Sequence, residues 1–130
     1  MIDIRKELIK VLKDGTELLV YYQNPPINSN VRFPILILEE VGNSDLFYDY
    51  QAQDDYEYEL TNVTFEVSIY CLEYEDIIVF APIVDRIMKH NNFKKTWTSP
   101  DSYIDPIYCK TMRFVAKVQL DKNTNTYYII

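Results

Sequence analysis

Thr64-Phe65-Glu66-Val67-Ser68-Ile69-Tyr70-Cys71 alternates strictly, with Phe65, Val67, Ile69 and Cys71 on one side and Thr64, Glu66, Ser68 and Tyr70 on the other. A period of two sends successive side chains to opposite faces, so this stretch reads as a strand with one face on a core and one more polar face. Upstream, Phe33-Pro34-Ile35-Leu36-Ile37-Leu38-Glu39-Glu40 is a short, β-branched apolar run, as expected of a strand covered on both faces at its centre. Pro34 belongs near its start, where a missing amide donor costs little. Downstream, Tyr108 to Leu120 reads as a long strand, with Met112, Phe114, Ala116, Val118 and Leu120 inward and Arg113, Lys117 and Gln119 outward. Asp121 to Asn125 makes a hairpin loop and Thr126 to Ile130 a closing strand.

Around these strands the period changes. Ile4, Leu8, Val11 and Leu12 recur at helical spacing, with Asp3 available to cap the start and Asp14-Gly15 to end the helix. Thr16 to Tyr22 then alternates, with Leu18, Val20 and Tyr22 on one side, and Asn24-Pro25-Pro26 stops it. A second helix is expected from about Glu75 to His90, burying Ile77, Phe80, Ala81, Val84, Ile87 and Met88. Its acids Glu75 and Asp76 sit in the first turn and Lys89 and His90 in the last, which suits the helix dipole. Pro82 either kinks this helix or opens it after a separate turn. Asn91 to Pro106 reads as a loop, with Ser99-Pro100-Asp101 and Asp105-Pro106 as turn signals. Consecutive hairpins with two helices predict an α+β fold: a mainly antiparallel sheet, both helices on one face, one domain over residues 1–130.

Asn43 to Glu59 stands apart. Leu46-Phe47-Tyr48-Asp49-Tyr50 and Tyr56-Glu57-Tyr58-Glu59-Leu60 each alternate at period two, around the polar Gln51-Ala52-Gln53-Asp54-Asp55. Neither half has enough aliphatic residues to be core throughout. The expected form is a projecting two-stranded arm, tyrosines on one side and carboxylates on the other. A lone ribbon is marginal in water, so a projecting one gains stability against a partner, and tyrosine is enriched at such contacts.

Composition narrows the function. The 130 residues include 12 tyrosines, a single histidine and two glycines. Scarce histidine removes the commonest general base near neutral pH, and two glycines cannot build a glycine-rich phosphate cradle. The formal charge of −7 is uneven: Phe33 to Asp85 holds 13 acids and no Lys or Arg, while the rest carries all 13 bases against seven acids, a net of +6. An acidic block is unsuited to gripping a phosphate backbone. It reads as a solvated face, as a surface complementary to the basic part of a neighbouring copy, or as a wall past which DNA slides without binding.

The candidate chemistry is thin. His90 falls at a helix end, and no Ser-His-Asp or Cys-His arrangement presents itself. Asp45, Asp49, Asp54, Asp55, Glu57 and Glu59 offer oxygen ligands for calcium, but their spacing is not that of an EF-hand and no glycine supplies its turn. Glu73, Glu75 and Asp76 offer an acid/base pair for glycoside hydrolysis, which helix capping explains more simply. Cys71 and Cys109 are expected to be reduced, with a disulfide between them only if their strands are neighbours. No catalytic residue, cofactor or metal site is expected, and the N-terminus has no long apolar stretch of the secretory kind.

The run Phe33 to Glu40, then Asn43, a Tyr/Asp-rich stretch, and Asn62-Val63-Thr64-Phe65-Glu66-Val67-Ser68-Ile69-Tyr70 resembles tail terminator proteins of tailed phages and prophages. In that family a strand opening near a proline and closing on an acid, here Pro34 to Glu39, precedes a hairpin. A strand of the kind Phe65 to Tyr70 follows, then a helix, here Ile77 to Met88, and a long late strand, here Arg113 to Val118. The order matches from about Ile4 to Leu120; the Thr126 to Ile130 strand and the Asn91 to Pro106 stretch have no counterpart. The resemblance implies a non-enzymatic virion assembly protein, made in the bacterial cytoplasm and ending in the tail. It implies a homo-oligomeric ring, typically a hexamer, that caps the tail-tube protein, ends tube polymerisation and meets the head–tail connector. DNA would pass through such a ring without specific binding, and no membrane is involved. The arm would carry the subunit contact, through Phe47, Tyr48, Tyr50, Asp54, Asp55, Tyr56 and Tyr58, against Arg113 and Lys117 of a neighbour. The alternative is a monomeric acidic binding or inhibitor module that mimics DNA.

Overall fold

The computed structural model describes residues 3–24, 31–45, 58–121, 124 and 126–130; the side chains of Asp45, Tyr58 and Glu59 lie outside that description. Two helices, α1 (Arg5–Thr16) and α2 (Tyr74–His90), pack on one face of a seven-stranded sheet. Its strands are β1 (Leu19–Tyr22), β2 (Ile35–Asp45), β3 (Tyr58–Cys71), β4 (Lys94–Thr98), β5 (Ser102–Ile104), β6 (Ile107–Asp121) and β7 (Thr126–Ile129). The order β1-β2-β3-β6-β4 is antiparallel except at β1–β2, and β5 and β7 line β6 on the same side as β4. The expected α+β class and mainly antiparallel sheet are what the chain adopts.

Period two explains the core. Val63, Phe65, Val67, Ile69 and Cys71 of β3 and Met112, Phe114, Ala116 and Val118 of β6 are buried on the helix side, where Phe65 and Phe114 stand directly opposite one another. From above, α1 adds Ile4, Leu8 and Leu12, and α2 adds Ile77, Val84 and Met88; Phe80, Ala81 and Ile87 are half-buried against the same cluster. β2 is buried on both faces at its centre, as its composition requires: Leu36 and Leu38 join the helix-side core, while Ile35 and Ile37 are buried on the opposite side.

Several local expectations are corrected. Asn91 to Pro106 is not a loop, since it supplies β4 and β5. Both are edge strands against β6, and the sequence Lys94-Lys95-Thr96-Trp97-Thr98 has no buried face to betray it. Phe93, just before β4, is a core residue whose ring meets Phe65 edge to face at 6.2 Å. α1 does not stop at Gly15 but runs to Thr16, and Glu17 takes the left-handed conformation at φ 62°. Gly15 instead leaves room for a side chain of α2: a Cβ there would lie 2.5 Å from the δ-methyl of Ile87, which would have to shift. Asp3 accepts the Arg5 N–H at 3.0 Å and a side-chain bond from the same arginine, which hold its carboxyl down at a pKa of about 2. Pro82 does not open a new helix; α2 runs through it. Ile78, whose carbonyl loses its donor, and Pro82 are both exposed, so that carbonyl is on a side open to solvent, where the lost bond costs least.

Candidate functional site

Neither helix covers the other face of the sheet, so that face is the candidate site. Register fixes its composition. Even-numbered residues of β6 point to the helices, leaving Cys109, Thr111, Arg113, Val115, Lys117 and Gln119 on the open side, opposite Tyr70, Ser68, Glu66, Thr64, Asn62 and Leu60 of β3.

Its middle is a cross-strand row, Trp97–Arg113–Glu66–Glu39, running from β4 to β2. Arg113 donates to Glu66 Oε2 from Nε at 3.0 Å and from Nη2 at 2.8 Å, and its guanidinium lies over the Trp97 indole, 5.2 Å from the ring centre. Such an exposed pair and cation–π contact are each worth roughly 0.5–1 kcal/mol. Glu39 stands beside Glu66, exposed, so the β2 side of the row ends in negative charge. Lys117, two places beyond Val115, is exposed on the same face.

On one side of the row, Ser68 and Thr111 share a 2.8 Å hydroxyl bond, and Ser99 Oγ accepts the Thr111 N–H at 2.9 Å, which ties the β4–β5 connection to β6. Beyond them the face opens into an apolar hollow of about 290 Å³, lined by Val31, Phe33, Ile35, Ile37, Tyr70 and Ile107. Burial, then the neighbouring Cys109, push the Tyr70 phenol up to about 12, so it stays a neutral hydrogen-bonding group.

The expected site residues fall in two groups. Phe47, Tyr48, Tyr50, Asp54, Asp55 and Tyr56 lie outside the described residues, as does the side chain of Tyr58, whose backbone pairs with Asp121 at the head of β3. Arg113 and Lys117 sit on the open face as expected, but Arg113 already has an intramolecular partner in Glu66. Trp97, which sequence reasoning placed in a loop, belongs to the site; its place opposite Arg113 depends on a bulge at Thr96 that no periodicity announces.

The remaining candidates come out as follows. Cys71 and Cys109 lie on neighbouring strands, but Cys71 faces Tyr108 and Cys109 faces Tyr70, one on each side of the sheet, so both are free thiols. His90 is exposed in the last turn of α2. Among the described residues, no group of three or more His, Cys, Asp or Glu is placed to hold a metal, and no helix is long and apolar enough to cross a membrane. Comparison with protein-family models and with curated proteins finds no match to the chain.

Proposed function

We propose that the chain is a structural assembly protein of a tailed phage or prophage: a tail terminator that forms a ring on the tail tube, ends its polymerisation and joins the tail to the head connector. The observation that carries this reading is the anchorage of residues 46–57. β2 stays paired with β3 as far as Asp45 opposite Thr61, and β3 stays paired with β6 as far as Tyr58. The tyrosine- and acid-rich stretch therefore starts and ends at paired strands of one sheet, a fitting root for an arm that engages a neighbour. The face opposite the two described helices, with its aromatic and charged row, adds surface for contacts between subunits.

The test is to polymerise the cognate tail-tube protein with and without the purified chain and measure tube lengths by electron microscopy. The reading predicts shortened tubes with added density at one end. Tubes of unchanged length, with no chain bound, contradict it.

A further inference from the structure

We infer that copies of this chain join head to tail through two charge-complementary surfaces on the described body, an acid-rimmed tyrosine patch and a basic aromatic strip. This assigns the subunit contact of the ring and so rests on the assembly reading above.

The first surface lies on the helix side, at the start of β6. The rings of Tyr74 of α2 and Tyr103 of β5 both meet Tyr108 at a tilt, at 5.7 Å and 4.5 Å between ring centres. Tyr103 is still 52% exposed, and Ile78, one helical turn beyond Tyr74, is 60% exposed. Exposed large side chains of this kind, fixed in place by ring contacts, have the make-up of an interface core. The rim is acidic: Glu73, Glu75 and Asp105 are exposed, and Asp101 accepts from both the Tyr74 hydroxyl and Lys110.

The second surface lies on the open face, toward the other end of β6. The outer edge there presents Trp97 opposite Arg113, Lys94 opposite Val115 and Tyr128 opposite Gln119, while the Ile130 N–H donates to the Lys117 carbonyl. Trp97 and Tyr128 are 45% and 61% exposed. Lys94, Arg113 and Lys117 bring three positive charges to this strip; Glu66 is paired with Arg113, while Glu39 on β2 and Asp121 at the end of β6 lie at its margins, so the exposed amines of Lys94 and Lys117 carry its basic character.

The geometry selects the symmetry. Tyr108 and Lys117 are roughly 30 Å apart at a strand rise of about 3.3 Å per residue, and the two surfaces sit on opposite faces of the sheet. A two-fold pair cannot bring both together at once on the same partner. Each copy instead offers one surface to the copy before it and the other to the copy after, which is the heterologous contact that closes into rings. Opposite charge then steers the encounter and fixes its register.

The experiment is a charge swap on the full chain. One variant carries Glu73→Lys and Glu75→Lys, the other Lys94→Glu and Lys117→Glu, and sedimentation reads the assembly state at low salt. The wild type should assemble, with its midpoint concentration rising roughly tenfold or more between about 0.05 M and 0.5 M salt. Each variant alone sets like charge against like and should stay monomeric, whereas an equal mixture should assemble again. Circular dichroism checks that reversing the charge at the start of α2 leaves the fold intact. A second variant, Ile78→Ser with Tyr103→Ser, removes the apolar centre without touching charge and should be monomeric and unrescued by mixing. Variants that assemble like the wild type, a mixture that stays monomeric, or a strictly monomeric wild type each overturn the contact. Tube capping is read separately, so its success beside a failed charge swap would place the subunit contact elsewhere and leave the terminator reading standing.

Discussion

At the level of single residues, this chain separates two jobs that glycine often does together. The glycine near the end of α1 was legible as a helix signal, but its use was not: Gly15 lets α1 approach Ile87, and Glu17 takes the left-handed cap. A non-glycine residue at positive φ costs about 1–2 kcal/mol, partly offset in any replacement by the greater unfolded freedom of glycine. Glu17→Gly should therefore raise stability by about 0.5–1 kcal/mol in chemical denaturation. Pro82→Ala restores a helix bond and should stabilise by about 2 kcal/mol, less than the full proline penalty because the unfolded chain also gains freedom. Phe65 is fully buried between Phe114 and Phe93. Phe65→Ala should cost about 3–5 kcal/mol, enough to threaten the fold of a domain this size. Titration belongs to this scale too. Burial raises the Cys71 thiol from 9.0 to about 11; burial and then the Glu7 hydrogen bond raise the Tyr127 phenol from 10.0 to about 12, matching Tyr70. All three bind their protons more tightly when folded, so their contribution is complete below pH 9 and is lost as pH climbs through about 12. Stability measured against pH should fall over that window, and Tyr127→Phe should make the fall shallower by one proton.

At the level of elements, legibility followed burial. β2, β3, β6 and α2 carry their period because one face or both are sealed, and those were the elements the sequence announced. β4 and β5 are edge strands with exposed or half-buried side chains, so no apolar alternation marked them; what holds them is the free edge of β6, a partner that no local pattern can reveal. The parallel pairing of β1 with β2 was hidden for the same reason, since parallel and antiparallel neighbours have the same period. Of the candidate site, Arg113 and Lys117 were legible as outward residues of β6, but the Glu66 partner and the Trp97 stack come from register across three strands. Under the proposed function, the tyrosines between β2 and β3 would add to the subunit contact. Serine at Tyr48, Tyr50, Tyr56 and Tyr58 together should then weaken ring formation in sedimentation while leaving circular dichroism and the monomer's melting temperature nearly unchanged.

Over the whole molecule, the uneven charge of the sequence becomes spatial. The described part of the acidic stretch from Phe33 to Asp85 forms β2, β3 and most of α2, while α1, β4, β6 and the end of α2 carry bases. Part of that charge is consumed internally: Glu66 holds Arg113, and Asp85 holds Lys89 by a hydrogen bond of 2.8 Å and Lys95 by an ion pair at 3.5 Å. Glu73 and Glu75 remain exposed at the start of α2, while Glu39, Lys94 and Lys117 remain exposed on the face opposite the helices. An acidic patch at the start of α2 and exposed lysines along the far half of β6 suit the body to joining its own copies in series. The most direct test of that claim is the absolute mass of the purified chain by light scattering, at low salt and rising concentration. The account predicts a discrete species near a closed ring of roughly six copies of 15.5 kDa each. A mass of 15.5 kDa at every concentration would contradict it.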